Sequence, residues 1–196
     1  MSAMAEEAAE VAEEQPPRLD PEVTARRDAA LRYVRTFGDP VLRTKARPVE
    51  VFDDRLREEI RWMGRLMSEG LGIGLAATQV GAVRRILVYR VQHDSPINAL
   101  VNPVLEWSSK QDEWMEEGCL SLPGVHVDVE RPIHVRVRAQ DETGETILLE
   151  ASGLEARVVQ HEIDHLDGTL ILDRAPRDQR KEAMRAMRER DASAAA

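Results

Sequence analysis

Two histidines lie four residues apart in the segment VVQHEIDHLDG, residues 158–168, and a glutamate directly follows the first. On an α-helix, His161 and His165 would lie one above the other on the same face. This spacing is typical of a metal site in which the intervening Glu162 takes a proton from water on the ion. A catalytic divalent ion usually has three protein ligands, so the chain must supply a third.

The residues alone leave the third ligand open. The metzincin pattern requires another histidine where this chain has Ile171, and a thermolysin-like downstream glutamate would have to be Glu182, which lies among lysines and arginines. Cys119, in EEGCLSLPG, is the only cysteine. A lone cysteine is most often a small buried apolar residue, yet its thiolate is also a good metal ligand. A zinc endopeptidase therefore stays an alternative at this point.

A helix is expected to carry the histidine pair. Ser152 and Glu155 form a capping-box pattern ahead of it, and Gly168 is a natural helix stop. The rest of the chain predicts a mixture of helix and strand. The predicted elements are an amphipathic helix at 51–70, a glycine-containing loop at 71–81, strands at 85–91 and 99–109, and a hairpin at 133–151.

Composition and charge divide the 196 residues into three regions. Residues 1–28 carry 8 acidic and 3 basic side chains and few large apolar ones, so they predict a disordered acidic tail. Residues 29–173 form the expected catalytic domain. Residues 174–196, with 7 basic and 4 acidic side chains, predict a basic helix with a frayed end.

Several partner classes are disfavoured by the same composition. The net charge of −9 argues against broad or sequence-specific nucleic-acid binding, which depends on phosphate neutralisation. No apolar run is long enough to span a bilayer, and the N-terminus lacks the pattern of a secretory signal. One cysteine excludes an internal disulfide. These features predict a cytoplasmic protein. A monomer is expected as well, although no sequence feature determines the oligomeric state.

Three segments together resemble the three motifs of peptide deformylases, in the same order and at matching distances: GIGLAATQ at 72–79, EGCLS at 117–121 and QHEIDH at 160–165. The resemblance covers roughly residues 33–172. It implies an α+β fold in which antiparallel strands pack around a central metal-binding helix. It also implies that Cys119, His161 and His165 hold one divalent ion, expected to be Fe2+, with Zn2+, Ni2+ or Co2+ able to substitute.

The resemblance further implies removal of the N-formyl group from the formylmethionine of newly synthesised polypeptides, with release of formate. Glu162 would then move the proton, while the Gln79 side chain and the Leu120 backbone N–H would stabilise the oxyanion. Gly74 would contact the substrate backbone. The methionine side chain would lie against apolar residues, namely Ile73, Met115, Leu154 and Val158.

N-formylated nascent peptides are the implied substrate partners, and by analogy with the family the basic C-terminal helix is expected to dock on the ribosome near the exit tunnel. A catalytically silent ribosome-associated binding module is a second alternative. The presence of both Cys119 and Glu162 argues against it.

Overall fold

The computed structural model describes residues 19–92 and 94–194. Its helices are α1 (Pro21–Leu31), α2 (Asp54–Glu69), α3 (Gly153–Leu166), the short α4 (Ile171–Arg174) and α5 (Arg177–Ala194). Its strands are β1 (Gly74–Ala76), β2 (Ile86–Tyr89), β3 (Asn98–Ser108), β4 (Asp112–Cys119), β5 (Leu122–Pro132), β6 (His134–Gln140) and β7 (Thr146–Ser152).

The strands form two antiparallel sheets with α3 between them. One sheet has the order β1-β2-β3-β6-β7, and the other is the β4–β5 hairpin. α3 packs on β1, β2 and β7 of the first sheet and on β5 of the second. The predicted α+β fold, with antiparallel strands around a central helix, is confirmed. Among the described helices, none combines the length and apolar content that crossing a bilayer requires.

The N-terminal region departs from the prediction of a disordered tail over 1–28. Residues 1–18 lie outside the described residues, but α1 begins at Pro21. Asp20 caps this helix by accepting a hydrogen bond from the Glu22 N–H at 2.7 Å, and proline suits the first helical position because its missing N–H is not needed there. Ala30 is buried against the core formed with α2. A helix therefore begins at Pro21, inside the region predicted to be disordered.

The segment around Cys119 forms a hairpin that the sequence did not reveal. β4 pairs with β5 from Asp112↔Pro132 to Gly118↔His126, and the register shifts at Cys119. The predicted loop at 71–81 also contains regular structure, since β1 pairs with β2 at Gly74↔Tyr89 and a 3₁₀ turn follows at Ala77–Val80. β1 was missed because it is short and buried, without the alternation that marks a half-exposed strand.

The start of α3 and the end of α5 differ from the prediction. Ser152 is the N-cap of α3, but its side chain makes no capping hydrogen bond. Glu155 instead accepts a hydrogen bond from the Tyr89 hydroxyl at 2.9 Å, so the capping-box prediction was wrong. At the other end of the chain, α5 continues to Ala194, beyond the predicted frayed end, with residues 195–196 outside the described part.

Candidate metal centre and active site

Cys119, His161 and His165 meet at the end of β4 and on one face of α3. Their donor atoms all lie within 4.8 Å of one another. Cys119 Sγ is 3.2 Å from His165 Nε2, which is in turn 3.2 Å from His161 Nε2. The helical spacing of four stacks the two imidazoles as expected, and the register shift at the end of β4 brings the thiol to them.

These three donors suit a divalent metal ion. Tetrahedral coordination with bond lengths of about 2.0 to 2.3 Å separates neighbouring ligand atoms by about 3.3 to 3.6 Å. The two separations that involve His165 Nε2, 3.2 Å each, are close to this range. Burial lowers the pKa of His165 well below its ordinary value, which keeps that imidazole neutral and able to bind a cation. One thiolate and two imidazoles form a donor set that Fe2+ and Zn2+ both accept.

Glu117 orients the His161 ring through a hydrogen bond on the side away from the cluster. Its Oε2 accepts a hydrogen bond from His161 Nδ1 at 2.9 Å, which leaves Nε2 directed at the cluster. Glu117 also accepts hydrogen bonds from Arg131 at 2.6 and 2.9 Å and from Arg157 at 2.8 Å. Burial opposes ionisation of Glu117, but the hydrogen bonds from His161 and Arg131 outweigh it and hold its pKa far below the usual range.

Gln79 is a buried amide whose orientation is fixed. Its Oε1 accepts a hydrogen bond from the Ala76 N–H at 2.8 Å. The amide nitrogen therefore faces the cluster, 3.6 Å from Cys119 Sγ and 3.3 Å from Ser121 Oγ. Leu120, in the turn after Cys119, lines a cleft that also contains Gln79 and Cys119. An N–H donor held beside the Cys-His-His cluster is an arrangement suited to oxyanion stabilisation.

Glu162 is buried beside the cluster with an unsatisfied oxygen. It is 3% exposed, and its Oε2 has no hydrogen-bond partner among the described residues. Burial raises the pKa of Glu162 to about 7, with nearby positive charge opposing the shift. A carboxyl group of this kind can both accept and return a proton near neutral pH.

Gly74 has a structural role that the sequence did not reveal. A Cβ at this position would lie 2.3 Å from Glu162 Oε1, so any side chain there would displace the carboxylate. Gly74 also lies at an open edge of the first sheet, because β1 pairs only with β2 among the described strands.

All of the predicted substrate-contacting residues line one cleft of about 480 Å³ that reaches Glu162. Three of these residues are unusually exposed for large apolar residues: Ile73 at 45%, Met115 at 38% and Leu154 at 45%. Val158 is buried. Exposed apolar groups gathered in a concave site favour binding of an apolar ligand side chain. The structure thus brings together every candidate site residue.

Three further residues next to the cluster, namely Glu117, Arg131 and Asp164, were not predicted from the sequence. Arg131, 2% exposed, bridges Glu117 and Asp164, and Asp164 also accepts hydrogen bonds from Arg174. A strand assignment for 112–119 would have found Glu117, since residues two apart on a strand share a face and Glu117 is two before Cys119. Nothing in the local sequence marks Arg131 or Asp164, which depend on tertiary pairing.

Glu117→Gln is expected to lower the free energy of unfolding by about 3 kcal/mol, because two buried arginines lose a charged partner. Glu116→Gln is the matched control. Its carboxylate is 69% exposed and should contribute less than about 0.5 kcal/mol. Urea unfolding of the two variants provides the comparison, and equal midpoints would contradict the assigned role of Glu117.

The sequence of this chain is similar to those of known proteins. Residues 31–181 match the family model for polypeptide deformylase. A peptide deformylase of Acidothermus cellulolyticus is 49% identical over 160 residues, which cover 82% of this chain and 87% of the relative. One of Dictyoglomus thermophilum is also 49% identical, over 146 residues covering 74% and 93%.

Solved structures show the same fold. The peptide deformylase of Synechococcus elongatus in complex with actinonin superposes with a TM-score of 0.76 at 43% identity, covering 79% of this chain and 86% of that one. The peptide deformylase of Thermotoga maritima gives 0.71 at 43% identity, covering 73% and 96%. These matches favour neither a zinc endopeptidase nor a silent binding module. With its three motifs gathered around one Cys-His-His cluster, this chain belongs to the polypeptide deformylase family.

Proposed function

We propose that the chain hydrolyses the N-formyl group of newly synthesised polypeptides at the cluster formed by Cys119, His161 and His165. The observation that carries this proposal is the position of Glu162, a buried carboxylate with an unsatisfied oxygen, next to that cluster and at the base of an apolar cleft. A divalent cation held by the three donors would polarise the formyl carbonyl and lower the pKa of a bound water toward about 7.

Each neighbouring group has one task in the hydrolysis. Glu162 accepts the proton of the attacking water and returns it to the departing amine, so that formate and a free amino terminus result. The Gln79 amide donates to the oxygen that gains negative charge, and the Leu120 backbone N–H donates beside it. Glu117 keeps His161 in the tautomer and orientation that binding of the ion requires.

The substrate backbone is proposed to extend along the open edge of β1. Ile73 O accepts a hydrogen bond from Arg90 N at 2.8 Å, and Gly74 lies opposite Tyr89 in the register. In an antiparallel pair the bonded residues alternate, so the N–H and C=O of Gly74 point away from β2. An extended peptide can pair with them as an added strand. The methionine side chain would then lie against Ile73, Met115, Leu154 and Val158.

Fe2+ is the proposed physiological ion. The mixed thiolate and imidazole set accepts Fe2+, Zn2+, Ni2+ and Co2+, and family membership favours iron. Elemental analysis of chain purified without oxygen from cells grown in unsupplemented medium tests this proposal. Iron as the main metal supports it, and zinc as the main metal in fully active protein would contradict it.

A single assay separates the proposed reaction from endoproteolysis. Formyl-Met-Ala-Ser should release stoichiometric formate, whereas an unformylated peptide with an apolar residue at its centre should remain intact. The physical reason is that Glu162 and His165 are buried, so a small terminal formyl group should reach them more easily than an internal peptide bond. Cleavage of the internal peptide without formate release would contradict the proposal.

The basic face of α5 is proposed to dock on the ribosome. Met187 on the opposite face is buried against β5 and α4, with Ala183 and Met184 partly buried beside it. Lys181, Arg185 and Arg188 are exposed on the other side. Deleting α5 would expose this core, so point changes are the better test.

The triple change of Lys181, Arg185 and Arg188 to Gln is expected to weaken ribosome binding at least tenfold and to reduce its salt dependence, because three phosphate contacts would be lost. Hydrolysis of formyl-Met-Ala-Ser should be unchanged. The matched control changes Arg55, Arg61 and Arg65 on α2, which should leave ribosome binding intact. Equal cosedimentation of both triple variants with ribosomes would contradict the proposed surface.

A cytoplasmic location and a monomeric state complete the proposal. The substrate arises where proteins are synthesised, and a single thiolate ligand needs a reducing compartment. Fractionation of cells and sedimentation equilibrium of the purified chain test these two statements.

A further inference from the structure

Part of the substrate cleft is formed by α1, a helix that almost entirely precedes the family match. Arg27 and Leu31 both line the cleft, and that match begins at residue 31. Leu31 packs on the core formed with α2, and its side chain lies next to Gly70. Ala30 is buried on the same side of α1. Because residues three and four apart share a helix face, this packing places Arg27 at the cleft.

The segment from Gly70 to Gly74 shows where α1 lies relative to the reacting group. Gly74 lies against Glu162, and Gly72 lies against Leu120. Gly70, at the far end, adjoins α1. A substrate that follows this segment away from Glu162 therefore approaches α1. Each extended residue advances about 3.3 Å, so about the third or fourth residue of the peptide comes within reach of the Arg27 side chain.

The charges of the cleft single out Arg27 among its arginines. Arg157 donates its hydrogen bonds to Glu117 and to backbone carbonyls. The Arg27 side chain is 39% exposed, and its ion pair is a long contact of 3.9 Å with the exposed Asp28. On the β4–β5 wall, Glu116 pairs with His126 at 3.5 Å. The cleft thus has the positive charge of Arg27 on its α1 side and the negative charge of Glu116 on its β4–β5 side.

We propose that Arg27 is a specificity-determining residue that favours nascent peptides with an acidic side chain at the third or fourth position. The proposal rests on the deformylase reaction. A solvent-accessible ion pair changes a binding equilibrium on the order of 3- to 5-fold, so the preference is moderate. It should appear in KM rather than in kcat, because the contact lies far from the bond that breaks.

The test measures kcat/KM for amidated formyl-Met-Ala peptides that carry Glu, Gln or Lys at position three or position four. The wild-type chain should prefer Glu over Lys on the order of 3- to 5-fold, and added salt should reduce the preference. Arg27→Ala should bring the ratio close to one, and Arg27→Lys should retain most of it. Arg26→Ala is the matched control on the exposed side of α1 and should retain all of it.

An unchanged Glu-to-Lys ratio in Arg27→Ala, or the absence of a preference in the wild-type chain, would overturn the proposal. Formyl-Met-Ala-amide, which ends before α1, should be hydrolysed equally by all four proteins. Its complete resistance to the wild-type chain would instead overturn the deformylase reaction itself. The two failures are therefore distinguishable within one experiment.

Discussion

Glu162→Gln should reduce formate release from formyl-Met-Ala-Ser by at least about 10²-fold while leaving metal content near one ion per chain. Glutamine is close to glutamate in shape, and the ligand atoms of Cys119, His161 and His165 are untouched by the change. The variant should lose only the group that is proposed to accept and return the proton. Metal analysis and formate release measured on the same sample give both quantities.

Glu155→Gln is the matched control for this variant. Glu155 lies on the same helix but contacts the Tyr89 hydroxyl and does not line the cleft. It should keep activity within about twofold of the wild-type chain, as expected for a change outside the reacting groups. Near-normal turnover in Glu162→Gln would show that another group moves the proton.

Cys119→Ala should lose both metal and turnover, in contrast to Glu162→Gln. Removing the thiolate leaves two imidazoles, and two ligands do not hold a divalent ion against a chelator. Cys119 is only partly buried, so a smaller side chain should leave the fold intact. Circular dichroism of the metal-free variant checks this. Full metal occupancy in Cys119→Ala would place the third ligand elsewhere and contradict the assigned cluster.

The residues with local periodicity were the ones that the sequence predicted well. The spacing of His161 and His165 requires a helix, and the alternation of Val135, Val137 and Ala139 requires a half-buried strand; both were found. Motif order then indicated Cys119 and Gln79, which lie 40 residues apart in sequence but meet in space. These predictions depend on short-range patterns or on a resemblance, and either can be read from a linear chain.

The parts that were missed depend on long-range pairing. β1 is a strand because β2 lies beside it, and Arg131 lies next to the site because it pairs with Glu117 and Asp164 from different elements. The N-terminal helix was missed for a different reason. The polar, proline-containing composition of 1–28 resembles a disordered tail, yet an aspartate cap, a proline at the first position and a few apolar contacts suffice to order its last turns.

Anaerobic titration of the metal-free wild-type chain with Co2+ tests the central claim most directly, with the thiolate-to-cobalt absorption band and formate release read from the same samples. If Cys119, His161 and His165 hold the catalytic ion, the band and the activity rise together and level off at about one ion per chain. Activity that is complete before any metal is added, or that rises without the thiolate band, would contradict it.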